Sequence, residues 1–215
     1  MSDFRQEFIA FAVTQDVIRF GEFKTKAGRL SPYFFNAGLF NDGASLSKLC
    51  SYYAQAIIAA NIRYDMLFGP AYKGIVLAGG VAMSLAAGHG QNRAFAFNRK
   101  EAKDHGEGGT IIGAPLKGNV LIIDDVISAG TSVRESVELI RSQDAQPVGV
   151  VIALDRMERG LTSDLSAAQE VARDFGIPVV SVATLVDLVT FLSAQSNRQS
   201  ELAAVKNYRQ QYGIR

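Results

Sequence analysis

Two adjacent carboxylates, Asp124 and Asp125, close the apolar run "NVLII", and the next seven residues, "VISAGTS" (126–132), carry no charge. An amphipathic segment begins at Ser132. Ala129 and Gly130 are small enough for a backbone to approach an anion closely. The first amides of a following helix lack partners, so they and the positive helix end offer a phosphate a ring of N–H donors. Thr131 and Ser132 add hydroxyls. Carboxylates do not bind phosphate, so Asp124 and Asp125 must meet something else. Sugar hydroxyls can donate to them, or they can hold a hydrated Mg2+ within an octahedral oxygen shell. A phosphorylated ribose satisfies both demands, with its 5′-phosphate in the loop and its diol on the acids. The plainer reading is that the acids end a strand and Thr131 or Ser132 caps a helix. The Walker and dinucleotide fingerprints are both missing: no Gly-Lys-Ser/Thr follows a spaced glycine, and no Gly-x-Gly-x-x-Gly follows a candidate strand.

Three further loops follow apolar runs and carry cations: "GPAYKG" (69–74), "RKEAKDHGEGGT" (99–110) and "DRMERG" (155–160). Lys73 sits between glycines that permit close backbone approach, and crowding there suggests a strained or cis peptide near Ala71-Tyr72. Arg99, Lys100, Lys103 and His105 share one polar, glycine-ended segment that cannot bury itself, so it is expected to move and close over ligand. Arg156 can grip a carboxylate in a fork. Lys26, Phe34 and Phe35 offer a cation and an aromatic slot, although consecutive aromatics in a strand point to opposite faces, leaving one for the core. Arg29 and Arg159 read as surface charges, and His89 as a cation at a helix end.

These loops need a scaffold that gathers them. Helical spacing of Phe4, Phe8, Phe11 and Ala12 predicts a helix over 3–20, and residues 21–40 read as short strands around turns at 27–28 and 31–32. From residue 45 helix and strand alternate. Helices are predicted over 45–60, 74–87, 132–142, 166–175, 185–194 and 201–212, and strands over 65–68, 94–98, 119–123, 148–154 and 179–182. Strands such as "VLII" and "VGVVIAL" are continuous apolar runs, the mark of a parallel sheet covered on both faces. An open, doubly wound, mostly parallel α/β sheet follows, with ligands beyond the carboxyl ends of its strands.

With 22 Lys and Arg against 21 Asp and Glu, the net charge is +1 over 215 residues, which gives no bias toward nucleic acid or anionic membrane, and neither is expected as a partner. One cysteine, Cys50, excludes an intrachain disulfide and suits a reducing compartment. The first seven residues include Asp3, Arg5 and Glu7, unlike a secretory signal, and the most apolar stretch is short and glycine-rich for a membrane span. A cytoplasmic protein is expected.

"VLIIDDVISAGTS" resembles the phosphoribosyl diphosphate (PRPP) binding motif of the type I phosphoribosyltransferases. Within that family, "RKEAKDHGEGG" resembles the mobile catalytic loop of the orotate phosphoribosyltransferases, and "SPYFFNAG" and "FGPAYKGI" are similar to their hood and diphosphate loops. Ser128 departs from the threonine common there but keeps the hydroxyl. The resemblance implies one domain over 1–215: a helix and hood over about 1–40, an α/β core over about 45–195, a mobile loop over about 99–113 and a C-terminal helix over 199–215.

It also implies a Mg2+-dependent reaction in which N1 of orotate displaces diphosphate from C1′ of PRPP to give orotidine 5′-monophosphate, with an oxocarbenium-like ribose at the transition state. Orotate is already an anionic nucleophile, so a strong base is not required. PRPP contacts are implied for Lys26, Tyr72, Lys73, Arg99, Lys100, Lys103, His105 and Asp124, Asp125, Val126, Ile127, Ser128, Ala129, Gly130, Thr131 and Ser132. Orotate contacts are implied for Lys26, Phe34, Phe35, Ser128 and Arg156. Catalysis falls to Lys73, Lys100, Lys103, His105, Asp124 and Asp125. Mg2+ has no firm direct protein ligand, Asp124 and Asp125 reaching it through water. The loop residues act across a homodimer with shared sites. Two other readings stay open: a PRPP-sensing regulator on the same fold, and a transferase for a purine base, for which Lys26 and Arg156 would have little use.

Overall fold

The computed structural model describes residues 3–25, 27–103 and 109–214, without the side chains of 102, 103 and 109. The opening helix, α1 (Phe4–Thr14), starts where the Asp3 side chain accepts from the Arg5 amide at 3.0 Å and buries Phe8, Ile9 and Ala12. It is shorter than the apolar spacing predicts. Asp16 takes a left-handed φ of 55°, and the Val17 amide turns back to the Ala12 carbonyl at 2.9 Å, closing the helix and starting a strand. That strand, β1 (Ile18–Lys24), pairs antiparallel with β2 (Leu30–Phe35) to form the hood. The turn predicted at Ser31-Pro32 is strand instead: Pro32 lies opposite a register shift between Phe20 and Phe23, where the ladder does not need its missing N–H.

The core alternates as its pattern predicts: α2 (Gly43–Ala60), β3 (Met66–Gly69), α3 (Lys73–His89), β4 (Ala94–Lys103), β5 (Gly109–Gly113), β6 (Asn119–Ile123), α4 (Thr131–Ser142), β7 (Gln146–Asp155), α5 (Ala167–Phe175), β8 (Val179–Thr184), α6 (Leu185–Ser193) and α7 (Gln199–Tyr212). The strand order is β5-β4-β3-β6-β7-β8, parallel except for the antiparallel pair β4–β5. The polar segment after residue 98 departs from the predicted loop. β4 continues to Lys103, and β5, which has no strong apolar pattern, returns beside it at the sheet edge.

Successive residues of β6 explain the two-sided burial. Val120 and Ile122 join the cluster beneath α4 and α5 (with Val133, Val137 and Val171), whereas Leu121 and Ile123 join the cluster beneath α2 and α3 (with Ile57, Leu77 and Val81). All four β6 side chains are fully buried, contributing roughly 1.5–3 kcal/mol each. The chain runs one way from β3 to β4 and the other way from β6 to β7 and β8, so the strand order reverses between β3 and β6. A crevice at that reversal is where such sheets take ligands. Among the described residues, no helix is long and apolar enough to cross a membrane.

Candidate active site

The β3–α3 joint is built on backbone contact. A Cβ placed on Gly69 would lie 1.9 Å from the Gly74 carbonyl oxygen, and one on Gly74 would lie 2.8 Å from that of Ile123. Only glycines let the first turn of α3 settle against the ends of β3 and β6. The contact places Lys73 beside the acids: its Nζ donates to Asp125 Oδ2 at 2.5 Å. With Lys73 about half exposed, the pair contributes on the order of 1 kcal/mol or less, little enough for a stronger anion to take the lysine. The Ala71–Tyr72 peptide bond is cis, as the crowding suggests, and the Ala71 amide donates to Asn98 Oδ1 at 2.8 Å.

Asp124 and Asp125 are both buried, at 7% and 8% exposure. Their backbones extend the β6–β7 ladder, the Asp124 amide donating to the Val151 carbonyl and the Asp125 carbonyl accepting from Ala153. Tyr53 Oη donates to the Asp124 carbonyl at 2.8 Å. The Asp124 carboxylate accepts from the Asp125 amide at 2.9 Å and from Ser132 Oγ at 3.0 Å. Burial pushes its pKa up to about 6, and the neighbouring Asp125 charge adds to the rise against those two hydrogen bonds. The Ser132 hydroxyl expected to serve a phosphate is therefore turned to Asp124 here.

Between Asp125 and α4 the loop carries exposed Ser128 and Ala129 and then Gly130, whose φ of 71° is left-handed. Neither N-cap residue, Gly130 of α4 nor Tyr72 of α3, makes a side-chain capping bond. Beside these two bare helix ends a cleft of about 550 Å³ is lined by Pro70, Ala71, Asn98, Arg99, Lys100, Thr131 and Ser132, with Glu135, Ser136 and Leu139 deeper along α4. Lys100 Nζ sits 5.1 Å from the centre of the exposed Tyr72 ring. The fold thus gathers Tyr72, Lys73, Arg99, Lys100, Asp124, Asp125 and the 126–132 loop at one mouth. Lys26, His105 and the Lys103 side chain lie outside the described residues.

The hood supplies the other wall. Phe35 is buried, whereas Phe34 is partly exposed and stacks on Phe23 with ring centres 5.4 Å apart. Arg156, at the end of β7, already has a carboxylate: Nε and Nη2 donate to Glu158 Oε1 at 2.7 and 2.6 Å, and Nη2 donates to Ser31 Oγ at 2.9 Å. Arg29 and Arg159 are not the surface charges their sequence suggests. Arg29 donates to the Gly160 carbonyl and lies 4.9 Å over the Tyr212 ring, and Arg159 Nη2 donates to the Gln211 carbonyl at 2.6 Å. Glu158, Ser31, Tyr53 and Asn98 went unnoticed in the sequence. Glu158 left a trace there as an acid two residues from a cation, and Ser31 as the first residue of the hood motif "SPYFFNAG".

The Phosphoribosyl transferase domain family matches residues 40–177. Orotate phosphoribosyltransferases of Thiobacillus denitrificans and Laribacter hongkongensis are 66% and 67% identical over 100% of both chains. The chain belongs to the orotate phosphoribosyltransferase family. A solved orotate phosphoribosyltransferase of Francisella tularensis shares the architecture at a TM-score of 0.88 and 43% identity, covering 96% of this chain and 99% of that one. The matched domain holds both bare helix ends and Arg156, while the hood with Phe34 and Phe35 precedes it and is covered by the full-length match to the orotate phosphoribosyltransferase relatives.

Proposed function

We propose that the protein is a single phosphoribosyltransferase domain that transfers the 5-phosphoribosyl group of PRPP to N1 of orotate, in pyrimidine nucleotide synthesis. The observation that carries this reading is the juxtaposition, at the strand reversal, of two buried acids, an uncapped helix behind a bare loop, and Lys73. The amides and hydroxyls of 128–132 take the 5′-phosphate and Asp124 and Asp125 the ribose hydroxyls. The C1′–O bond to diphosphate breaks as the bond from C1′ to orotate N1 forms, leaving orotidine 5′-monophosphate and diphosphate. Lys73, Lys100, Lys103 and Arg99 meet the charge that builds on the leaving diphosphate, and His105 supplies a proton or hydrogen bond to it. Arg156, Lys26 and Ser128 hold orotate, its ring against the hood backbone at Phe34 and Phe35.

A Mg2+ cofactor fits the donors present. Asp124 and Asp125 offer an all-oxygen pair, and among the described residues no cluster of three ligating side chains surrounds them. That suits an ion keeping most of its shell as water and substrate oxygens. Bound there with PRPP, Mg2+ would supply positive charge against the diphosphate.

The active form is proposed as a cytoplasmic homodimer with shared sites. Val76 and Met83, 54% and 74% exposed, lie two turns apart on one face of α3 and give a partner an apolar surface.

Orotate consumption followed spectrophotometrically with PRPP and Mg2+, beside adenine and hypoxanthine, tests the reaction. Loss of orotate alone is expected. Consumption of a purine with orotate untouched would replace this reading, and binding without turnover would favour a sensor. Lys103→Ala is expected to lower turnover far more than PRPP affinity, because its charge is needed chiefly in the transition state.

A further inference from the structure

Arg156 is fixed on several sides. The Nε–Nη2 edge of its guanidinium is held by Glu158 Oε1 at 2.7 and 2.6 Å, and its central carbon lies 4.2 Å from the centre of the Tyr33 ring. Ser31 Oγ donates its own hydrogen to the Tyr33 carbonyl at 2.7 Å, so a lone pair faces Arg156 Nη2 at 2.9 Å. Glu158 is itself anchored. Arg29 Nη1 lies 3.8 Å from its other carboxylate oxygen, and backbone bonds from Arg159 to Tyr212 and from Ile214 to Met157 fasten its segment to the end of α7. The chain devotes part of the hood, the β7 exit and its C-terminal helix to the orientation of one guanidinium.

We propose that Glu158, with Ser31, is a positioning residue that sets selectivity for a base bearing a carboxylate. This rests on the reading that Arg156 grips that carboxylate. A guanidinium carries five donors in a rigid planar fork, so fixing one edge fixes the direction of the rest. An uncaged arginine would have to lose its rotamer freedom at every binding event, and a caged one arrives already aimed. Glu158 also places a negative charge near the substrate's own. Orientation outweighs that repulsion because the guanidinium carries the charge that both carboxylates face.

The experiment compares two nucleotides that differ only in the carboxylate, orotidine 5′-monophosphate and uridine 5′-monophosphate, by calorimetry on the intact protein and on Arg156→Ala, Glu158→Gln and Ser31→Ala. Glu158→Gln should weaken orotidine 5′-monophosphate about tenfold, the scale of a hydrogen bond to a charged group, and leave uridine 5′-monophosphate within about twofold. Ser31→Ala should move the same ratio the same way by about threefold, and it carries the test if Glu158→Gln does not fold. A merely structural role would weaken both nucleotides together. That result, an unchanged ratio, or tighter binding of orotidine 5′-monophosphate overturns the proposal while leaving Arg156's role intact, provided Arg156→Ala abolishes the preference. If Arg156→Ala leaves the preference untouched, the reading of Arg156 falls and the proposal falls with it.

Discussion

Four helices begin at the carboxyl edge of the main sheet, and they begin in two different ways. α5 and α6, behind β7 and β8, open with complete capping boxes: Ser166 with Gln169, and Thr184 with Asp187, each pair exchanging side-chain and backbone bonds. The N-cap residues of α3 and α4, Tyr72 and Gly130 behind the two central strands β3 and β6, make no side-chain capping bond. A cap contributes about 1 kcal/mol over a side chain that cannot cap and only a few tenths over glycine, so Tyr72 and Gly130 together forgo on the order of 1 kcal/mol. They do so where the strand order reverses and where Lys73, Asp124 and Asp125 converge. Helix ends closed by the chain's own side chains hold the fold. The open ones leave their amides for a ligand.

The comparison can be broken at several strengths. Gly69→Val is expected to act hardest. The Gly74 carbonyl stands where its Cβ must go, so the joint cannot form, and thermal melting should show several kcal/mol lost or no folded protein. Gly130→Val should weaken PRPP binding about 100-fold in calorimetry by shifting the loop backbone, and it should also cost stability, about 1–2 kcal/mol for a non-glycine residue at a left-handed φ of 71° plus the crowding of a Cβ 3.3 Å from the buried Val171 side chain.

Asp124→Asn should lose activity and yet gain stability, with a defined pH dependence. The folded pKa of Asp124 lies at about 6, above its ordinary 3.8, so between those values the folded state holds more protons than the unfolded one. The wild type therefore carries a destabilising buried charge above about pH 6 and sheds it as pH falls. The asparagine variant should melt higher than wild type near pH 8, by on the order of 2 kcal/mol, with the gap closing toward about pH 4. A gap that widens on acidification would contradict this account of the site's electrostatics. The smallest effects are the most diagnostic. Ser166→Ala should lower stability by about 1 kcal/mol with KM for PRPP unchanged, and Thr131→Ala should raise KM for PRPP with the melting temperature nearly unchanged.

Much of this was legible in the sequence. β6 falls at 119–123 as its apolar run predicts, because a strand buried on both faces writes an unbroken signal. The acids, the bare loop and α4 followed from residue types alone. The β4–β5 arms were not readable. β5 pairs with Ala96–Asn98 and, past an irregularity, Gly109 pairs with Lys103, and a solvated edge demands no apolar alternation. Asp16 closes α1 from a left-handed conformation that an aspartate adopts only occasionally, so composition gave no stop signal. Ser31 and Tyr53 support the site across long stretches of chain, whereas Glu158 acts from two residues away. Ser31 and Arg156 meet only because the hood folds against the β7 exit, a contact that local pattern does not encode.

The most direct test of the open-end account is the titration of the labelled protein with ribose 5-phosphate, following each backbone amide by NMR. The account predicts shifts concentrated at residues 128–133, with the capped amides at 166–169 and 184–187 still. Saturable shifts at the capped ends, or binding that leaves Gly130 and Thr131 unmoved, would contradict it.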